Sequence, residues 1–177
     1  MVQLRGDEYA DSGRDIQWAM VDQVKRYPDK SKRPDHILWN GRVVKTYDRI
    51  PVAESGLIRA EFLSVKPEFE QGFDLKVYDG WLELEKGERV DILRTWKDNR
   101  YEDSVEYPFF CRKGEIGVWN VFKRMYGNDR VVEEKWTGNA GFWVEELSES
   151  ERIYHCSHGM ADPPDFEALV FKVSIFR

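Results

Sequence analysis

The chain has 177 residues and a formal net charge of −6, with 41% hydrophobic and 34% charged residues. This composition is typical of a folded domain rather than a disordered chain, and the negative charge argues against nucleic-acid binding, which needs a basic surface. The two cysteines are too few for a disulfide framework.

The chain begins with a segment that carries no targeting signal. Met1–Gly13 lacks the apolar stretch of a secretory signal, and no apolar run anywhere reaches the ~20 residues of a membrane-spanning helix. These features predict a cytoplasmic protein with no membrane partner. In that compartment Cys111 and Cys156 are expected to be reduced, buried structural thiols.

A helix is predicted over residues 12–27. Ser12 followed three residues later by Asp15 has the pattern of a capping box. The apolar residues that then recur at helical spacing are Ile16, Ala19, Met20, Val24 and Tyr27. Pro28 ends the helix, because proline disfavours helical geometry in the residue before it.

From residue 37 onward the apolar spacing changes to two, which is typical of β-strands. Asn40-Gly41 and Asp79-Gly80 are turn signals of β-hairpins. Alternation over residues 57–65 places Ile58, Ala60 and Phe62 on one side of a strand. Further strands are predicted at 37–47, 73–78 and 81–85; residues 90–96 fit a strand or a helical turn, and 101–108 a loop.

The C-terminal third predicts five consecutive strands, at 117–126, 131–136, 142–147, 152–157 and 169–176. A turn at Gly127 and a tight hairpin at Gly138–Gly141 separate the first three. A loop over 158–164 leads to the last strand. Links this short predict that each strand pairs with the next, which gives an antiparallel meander.

The whole pattern predicts a mainly β fold in one domain, residues 1–177, with an N-terminal α-helix at 12–27 and a barrel at 37–177. Eight to ten short strands with hairpin links favour an antiparallel up-and-down β-barrel, with a β-sandwich as the alternative. In outline this resembles the calycin (lipocalin-like) architecture. No motif is shared, so the resemblance implies a fold and not a function.

The predicted hairpin around Gly127 has two mixed faces. A three-residue turn places Tyr126 opposite Arg130 and Lys123 opposite Glu133. Each face then carries apolar and charged side chains together, unlike the clean alternation of a sandwich core. Either the barrel encloses a partly polar cavity, or the hairpin projects beyond the core and both faces are partly wet.

Two of the three histidines lie in the segment His155-Cys156-Ser157-His158. Imidazole titrates near neutral pH, which makes His155 and His158 candidates for general acid–base catalysis. Ordinary polar residues at a strand end are the alternative. The spacing matches no common zinc pattern and no phosphate-binding glycine loop is present, so no metal and no cofactor are predicted.

Two functions remain open from the sequence. The first is a small-molecule-binding barrel for an apolar or aromatic ligand, with a lyase or isomerase activity of His155 or His158 as a further hypothesis. Its predicted pocket residues are Trp119, Glu133, Trp136 and Tyr154. The alternative is an acidic protein-binding module, such as an immunity or inhibitor protein that binds a basic toxin enzyme through charge attraction.

Overall fold

The computed structural model describes residues 9–97 and 102–177. Residues 1–8 of the segment Met1–Gly13, and residues 98–101 with the start of the predicted loop 101–108, lie outside the described residues. The described part is mainly β, with antiparallel sheets and one α-helix. The predicted fold class is confirmed at this level.

The α-helix, α1, spans Ile16–Arg26 and begins later than predicted. Its N-cap is Asp15, whose carboxylate accepts a hydrogen bond from the Trp18 N–H at 2.8 Å. Ser12 instead ends a 3-10 helix, where its hydroxyl donates to the Tyr9 carbonyl. The 3-10 helices lie at Tyr9–Ser12, Lys30–Lys32 and Glu85–Gly87.

The buried face of α1 is rotated from the predicted one. Ile16, Ala19 and Gln23 are buried, whereas Val24 is exposed. The reason is the chain that follows the helix, because the Gln23 side-chain amide donates to the carbonyls of Pro34 and His36, each at 2.8 Å. Among the described residues, no helix combines the length and the apolar composition needed to cross a membrane.

The described residues contain fourteen strands in three sheets. They are β1 Ile37–Trp39, β2 Arg42–Val44, β3 Asp48–Pro51, β4 Ser55–Val65, β5 Gln71–Val77, β6 Gly80–Glu83, β7 Arg89–Val90, β8 Ile92–Trp96, β9 Ser104–Cys111, β10 Glu115–Tyr126, β11 Arg130–Glu134, β12 Gly141–Glu146, β13 Glu151–Ser157 and β14 Leu169–Phe176. The prediction of eight to ten strands was too low, because several long strands are interrupted by bends.

The two large sheets have different orders. The five-stranded sheet runs β11-β10-β5-β8, and β3 also pairs with β10. The seven-stranded sheet runs β12-β13-β14-β4-β9-β6-β7. β1 and β2 form a separate hairpin around the predicted turn Asn40-Gly41. The described ladders form open sheets, so the finer prediction of a closed calycin-like barrel is not confirmed.

The hairpin predicted at Asp79-Gly80 is wrong. β5 pairs with β8 and β6 pairs with β7, so Asp79-Gly80 marks a bend where one long hairpin passes from one sheet to the other. A Cβ at Gly80 would lie 1.8 Å from the Phe110 carbonyl oxygen. The glycine is therefore required by close backbone approach across the sheet rather than by a hairpin turn.

The tight hairpin predicted at Gly138–Gly141 is also wrong, because β11 and β12 lie at the edges of different sheets. A Cβ at Gly138 would lie 2.2 Å from the Gly159 carbonyl oxygen, and the φ of Gly138 is +57°. Asn139 ties this crossing to the rest of the chain, since its side chain accepts from the Ile16 N–H and donates to the Ala161 carbonyl. The meander is confirmed only for β12, β13 and β14.

The register predicted around Gly127 is confirmed, with Tyr126 opposite Arg130 and Lys123 opposite Glu133. At this end of the hairpin, Met125 and Val131 are exposed along with the turn itself. The mixed polarity of the two strands therefore matches a hairpin that projects beyond the core, which is the second of the two interpretations drawn from the sequence.

The space between the two large sheets is filled at its centre by aromatic side chains. Phe171 stacks on Phe73 at 4.6 Å and on Tyr154 at 4.8 Å, so one ring joins the two sheets. Each such buried side chain stabilises the fold by about 1.5–3 kcal/mol. Cys111 and Cys156 are buried and free, as predicted. Any ligand site must therefore lie away from this centre.

Candidate functional site

Two of the predicted pocket residues, Trp119 and Trp136, pack together on the outer face of the five-stranded sheet. Their ring centroids are 5.4 Å apart, and Tyr47 stacks on Trp119 at 5.0 Å. Trp119 lies opposite Asp74, next to Phe73, whose side chain points inward to Phe171. Side chains alternate along a strand, so Trp119 points outward. These two tryptophans therefore do not share a pocket with Tyr154, which points inward.

His155 lies on the outer face of the seven-stranded sheet. Its ring stacks on Trp143 at 3.9 Å with an interplanar angle of 3°. Its Nε2 is 3.0 Å from a Glu145 carboxylate oxygen, and its Nδ1 is 3.2 Å from one of Glu167. Both ring nitrogens are engaged by carboxylates, so neither is directed at a cleft. The predicted acid–base role of His155 gains no support from this arrangement.

His158 is buried between aromatic rings at the end of β13. The ring centroids of Phe69 and Phe122 lie 4.5 Å and 6.3 Å from its own. Its Nδ1 accepts a hydrogen bond from the Met160 N–H at 3.2 Å. Burial lowers the pKa of His158, although the nearby charge of Asp165 opposes this effect. The contacts support a structural role for a neutral imidazole more than a catalytic one.

The described residues offer neither a metal site nor a reactive thiolate at Cys156. Among residues 9–97 and 102–177, no three His, Cys, Asp or Glu side chains lie together in a way that could hold a metal ion. Burial raises the pKa of the Cys156 thiol well above its ordinary value. Cys156 is therefore held as the protonated thiol, which is a poor nucleophile.

A buried polar cluster that the sequence did not predict lies at one end of the interior. Asp48, at the start of β3, is buried, and its Oδ2 accepts hydrogen bonds from Arg152 Nη1 at 2.9 Å and from Tyr154 Oη at 2.7 Å. Lys45 Nζ donates to the other oxygen at 3.3 Å. Burial and the Asp48 charge together raise the pKa of the Tyr154 hydroxyl well above its ordinary value. Tyr154 therefore acts here as a hydrogen-bond donor within the core.

Arg152 is the member of this cluster that reaches a cleft. Its side chain is 14% exposed, and its Nε has no hydrogen-bond partner in the described part of the chain. Burial disfavours its positive charge, but the carboxylate of Asp48 outweighs that effect and the pKa of Arg152 is raised. Arg152 is therefore a charged side chain whose hydrogen-bonding capacity is only partly used.

The larger cleft beside Arg152, which we call the end cleft, has a volume of about 1140 Å³. Residues of β3, β4, β9, β12, β13 and β14 line it, together with the loop between β3 and β4 and the turn between β12 and β13. Its lining residues are Pro51, Val52, Ala53, Ser55, Phe109, Glu146, Leu147, Ser148, Glu149, Ser150, Arg152, Ile175, Phe176 and Arg177. The lining of the end cleft thus combines apolar side chains, polar turn residues and the largely buried Arg152.

A second cleft of about 550 Å³ adjoins the first. The two share Pro51, Glu146 and Arg152 as lining residues, so Arg152 is accessible from both. The rest of its lining is polar and aromatic: Asp35, Lys45, Tyr47, Asp48 and Arg49.

Comparison of the chain with protein-family models, curated proteins and solved structures finds no match. Function is therefore inferred from the geometry of the end cleft.

A second buried aspartate–arginine pair lies on the outer face of the five-stranded sheet. Arg94 donates from Nε and Nη2 to the two oxygens of Asp74, both at 2.8 Å, and from Nη1 to Glu133 at 3.0 Å. The hydrogen bonds to Asp74 are the main reason that the pKa of Arg94 is raised. Glu133, predicted to line a pocket, instead completes this closed pair.

Neither pair carried a signal in the sequence. Asp48 and Arg152 are separated by 104 positions, and nothing local indicates which aspartate meets which arginine. The one available hint is alternation, because Arg152, Tyr154 and Cys156 occupy the same face of β13. An arginine on a core-facing position predicts a buried partner, although it does not identify that partner.

Proposed function

We propose that the protein binds a small amphipathic molecule in the end cleft. The observation that carries this proposal is the largely buried Arg152 at a cleft of about 1140 Å³ whose walls also include apolar side chains. Ligand sites in proteins are typically clefts of about 300–1,000 Å³ with apolar walls and a few placed polar groups. The end cleft is slightly larger than this range, and its lining is both polar and apolar.

The apolar wall of the end cleft would hold the ligand's hydrocarbon part. Phe109 and Ile175 come from the inner faces of β9 and β14, and Leu147 and Phe176 are exposed at the rim. Burying apolar ligand surface against such groups contributes about 25 cal/mol per Å². Exposed apolar residues beside a cleft are also where a ligand gains the most from excluding water.

This proposal keeps the prediction of a small-molecule ligand, but it changes the ligand from apolar or aromatic to amphipathic and moves the site. Of the predicted residues, Tyr154 supports the site indirectly, through Asp48, while Trp119 and Trp136 lie on the outer face. His155 and His158 do not line the end cleft. The proposal is therefore binding, and a lyase or isomerase activity of these histidines stays a prediction without support from this cleft.

The alternative, an acidic surface that binds a basic protein, has less support. Several surface carboxylates already contact cations of the same chain, as Glu133 contacts Arg94 and Asp165 contacts Lys66. Such pairing leaves the net charge of −6 unchanged, but it engages these carboxylates locally, so they are less available for direct contacts with a partner.

The test is a titration with N-phenyl-1-naphthylamine, a neutral apolar dye that fluoresces when it leaves water. Ala53→Trp places a large side chain in the end cleft at an exposed position. Asn128→Trp, at the exposed turn between β10 and β11, is the matched control. We expect saturable binding to the wild-type protein, at least a tenfold weaker affinity for Ala53→Trp, and no change for Asn128→Trp. Absence of saturable binding, or equal effects of the two substitutions, contradicts the proposal.

A further inference from the structure

We propose that the ligand of the end cleft carries a carboxylate and that Arg152 binds it. This inference rests on the proposed function and adds the chemical class of the ligand's polar group. The expected molecule has one carboxylate at the deep end, beside Arg152, and a hydrocarbon part toward Phe109, Ile175 and the rim.

Arg152 has more N–H groups than hydrogen-bond acceptors within the described residues. A guanidinium has five N–H groups in a planar fork and is always charged. Within the described residues, Nη1 donates to Asp48, and Nε is enclosed by the protein and has no hydrogen-bond partner. A charged group that is largely buried with donors unused costs stability unless something binds it. Because Nε is enclosed, a carboxylate in the end cleft would bind through the Nη end of the guanidinium, with strong, charge-assisted hydrogen bonds.

Asp48 fixes the position of Arg152 through one hydrogen bond and leaves other N–H groups of the guanidinium free of Asp48. Asp48 is itself fixed by Tyr154 and Lys45, so the guanidinium is anchored at one edge by a buried carboxylate. A fixed side chain loses little conformational entropy when it binds. Asp48 and Tyr154 are therefore positioning residues, and Arg152 is the contact residue.

Glu146 is a negatively charged neighbour of Arg152 and opposes the binding of an anion. It faces Arg152 across the β12–β13 ladder and lines both clefts, but it is exposed to solvent whereas Arg152 is not. Charges are screened more strongly at exposed positions. A carboxylate bound to Arg152 should therefore gain affinity when Glu146 is neutralised and lose it when Arg152 is neutralised.

The experiment compares octanoate with 1-octanol, which has the same chain length and no charge, by displacement of N-phenyl-1-naphthylamine. The variants are Arg152→Gln, Arg152→Lys and Glu146→Gln. The matched control is Arg59→Gln, which removes one cation from the outer face of β4. Because Arg152 is largely buried, folding of each variant is checked by circular dichroism, and binding of 1-octanol reports whether its cleft is intact.

We expect wild-type protein to bind octanoate about tenfold more tightly than 1-octanol, a difference of about 1.4 kcal/mol. Arg152→Gln should abolish that preference while 1-octanol still binds, and Arg152→Lys should keep part of it. Glu146→Gln should strengthen octanoate binding two- to threefold, and Arg59→Gln should change neither ligand.

Two other outcomes distinguish failure of the carboxylate inference from failure of the proposed function. If the dye binds but octanoate has no advantage over 1-octanol, or if the advantage survives Arg152→Gln, the carboxylate inference is wrong and the proposed function stands. If neither the dye nor the two ligands bind to the wild-type protein, the proposed function fails, and this inference fails with it.

Discussion

The two buried aspartate–arginine pairs look alike in composition and differ in how completely the arginine is used. Arg94 meets both oxygens of Asp74 and also Glu133, so each nitrogen of its guanidinium has an acceptor. Arg152 has one hydrogen bond to Asp48, an unpaired Nε, and a surface on two clefts. In the first pair, which we call closed, every guanidinium nitrogen has an acceptor within the chain. In the second pair, which we call open, Nη1 has an acceptor and Nε has none.

This difference separates a structural ion pair from a candidate binding group. A bidentate pair with a third acceptor fixes neighbouring strands, here β5 and β8, and each of the three nitrogens already has an acceptor within the chain. A pair that leaves donors unused beside a cleft has a cost that a ligand can offset. The satisfaction of hydrogen bonds is therefore more informative than the burial of the charge, since both aspartates are buried.

The largest effect is expected on breaking the closed pair. Arg94→Met leaves Asp74, which is 0% exposed, as an unpaired buried charge, and we expect a loss of about 3–5 kcal/mol in the free energy of unfolding. Arg152→Met should lose less, about 1.5–3 kcal/mol, because Tyr154 and Lys45 still donate to Asp48. Urea unfolding measures both.

The surface pair Arg59–Glu61 provides the control for that comparison, and Arg59→Met should cost less than about 1 kcal/mol. A loss for Arg152→Met equal to or larger than that for Arg94→Met would show that the two pairs have the same structural weight.

The crossing at Gly138 tests whether the edges of the two sheets are held as described. Gly138→Ala adds a Cβ 2.2 Å from the Gly159 carbonyl at a φ of +57°, and we expect a loss of about 1–3 kcal/mol. Gly127→Ala is the control, since its φ of +66° is similar but nothing lies within 4 Å. Equal losses in urea unfolding would mean that only the backbone conformation matters and that the close approach to Gly159 does not.

Tyr154→Phe tests what the Tyr154 hydroxyl contributes to the Asp48–Arg152 pair. It removes the 2.7 Å hydrogen bond to Asp48 and leaves the ring stacked on Phe171, so we expect a loss of about 1 kcal/mol. Thermal unfolding measures the loss, and because Tyr154 positions Arg152 through Asp48, dye displacement should show a reduced but not abolished preference for octanoate. A variant that loses the preference but not the stability would assign Tyr154 to the binding surface itself.

The smallest effect concerns pH and a third buried polar group. The pKa of His158 is lowered by burial from its ordinary value of 6.5, so the unfolded state takes up a proton more readily than the folded state. The stabilising contribution is present above pH 6.5 and is lost as the pH falls below it. We expect His158→Gln to flatten this part of the stability profile between pH 7 and pH 5, and an unchanged slope contradicts the assignment.

Local features of the fold followed from the sequence, whereas contacts between distant segments did not. Alternation placed Ile58, Ala60 and Phe62 correctly on β4, because one face of that strand is buried. The turn at Gly127 set the register of its hairpin. The sequence predicts hairpin turns at Gly80 and Gly138, where the structure has bends, because the carbonyls that require each glycine come from Phe110 and Gly159, elsewhere in the chain.

The candidate site likewise depends on contacts between distant segments, which residue types alone do not indicate. Residue types alone drew attention to His155 and His158, and the structure surrounds the first with carboxylates and the second with aromatic rings. Arg152 was one of many charged residues in the sequence. It becomes distinctive only when β3 brings Asp48 to it, leaves its Nε without a partner and places its side chain at two clefts.

The most direct measurement is the side-chain Nε–Hε resonance of each arginine during an NMR titration with octanoate. Arg152→Gln and Arg94→Gln variants assign the two signals. An open Arg152 predicts a saturable shift of its resonance and no shift of the Arg94 resonance, with 1-octanol moving neither. A titration in which the Arg152 resonance stays fixed while octanoate binds elsewhere, or in which both arginines move alike, contradicts the account.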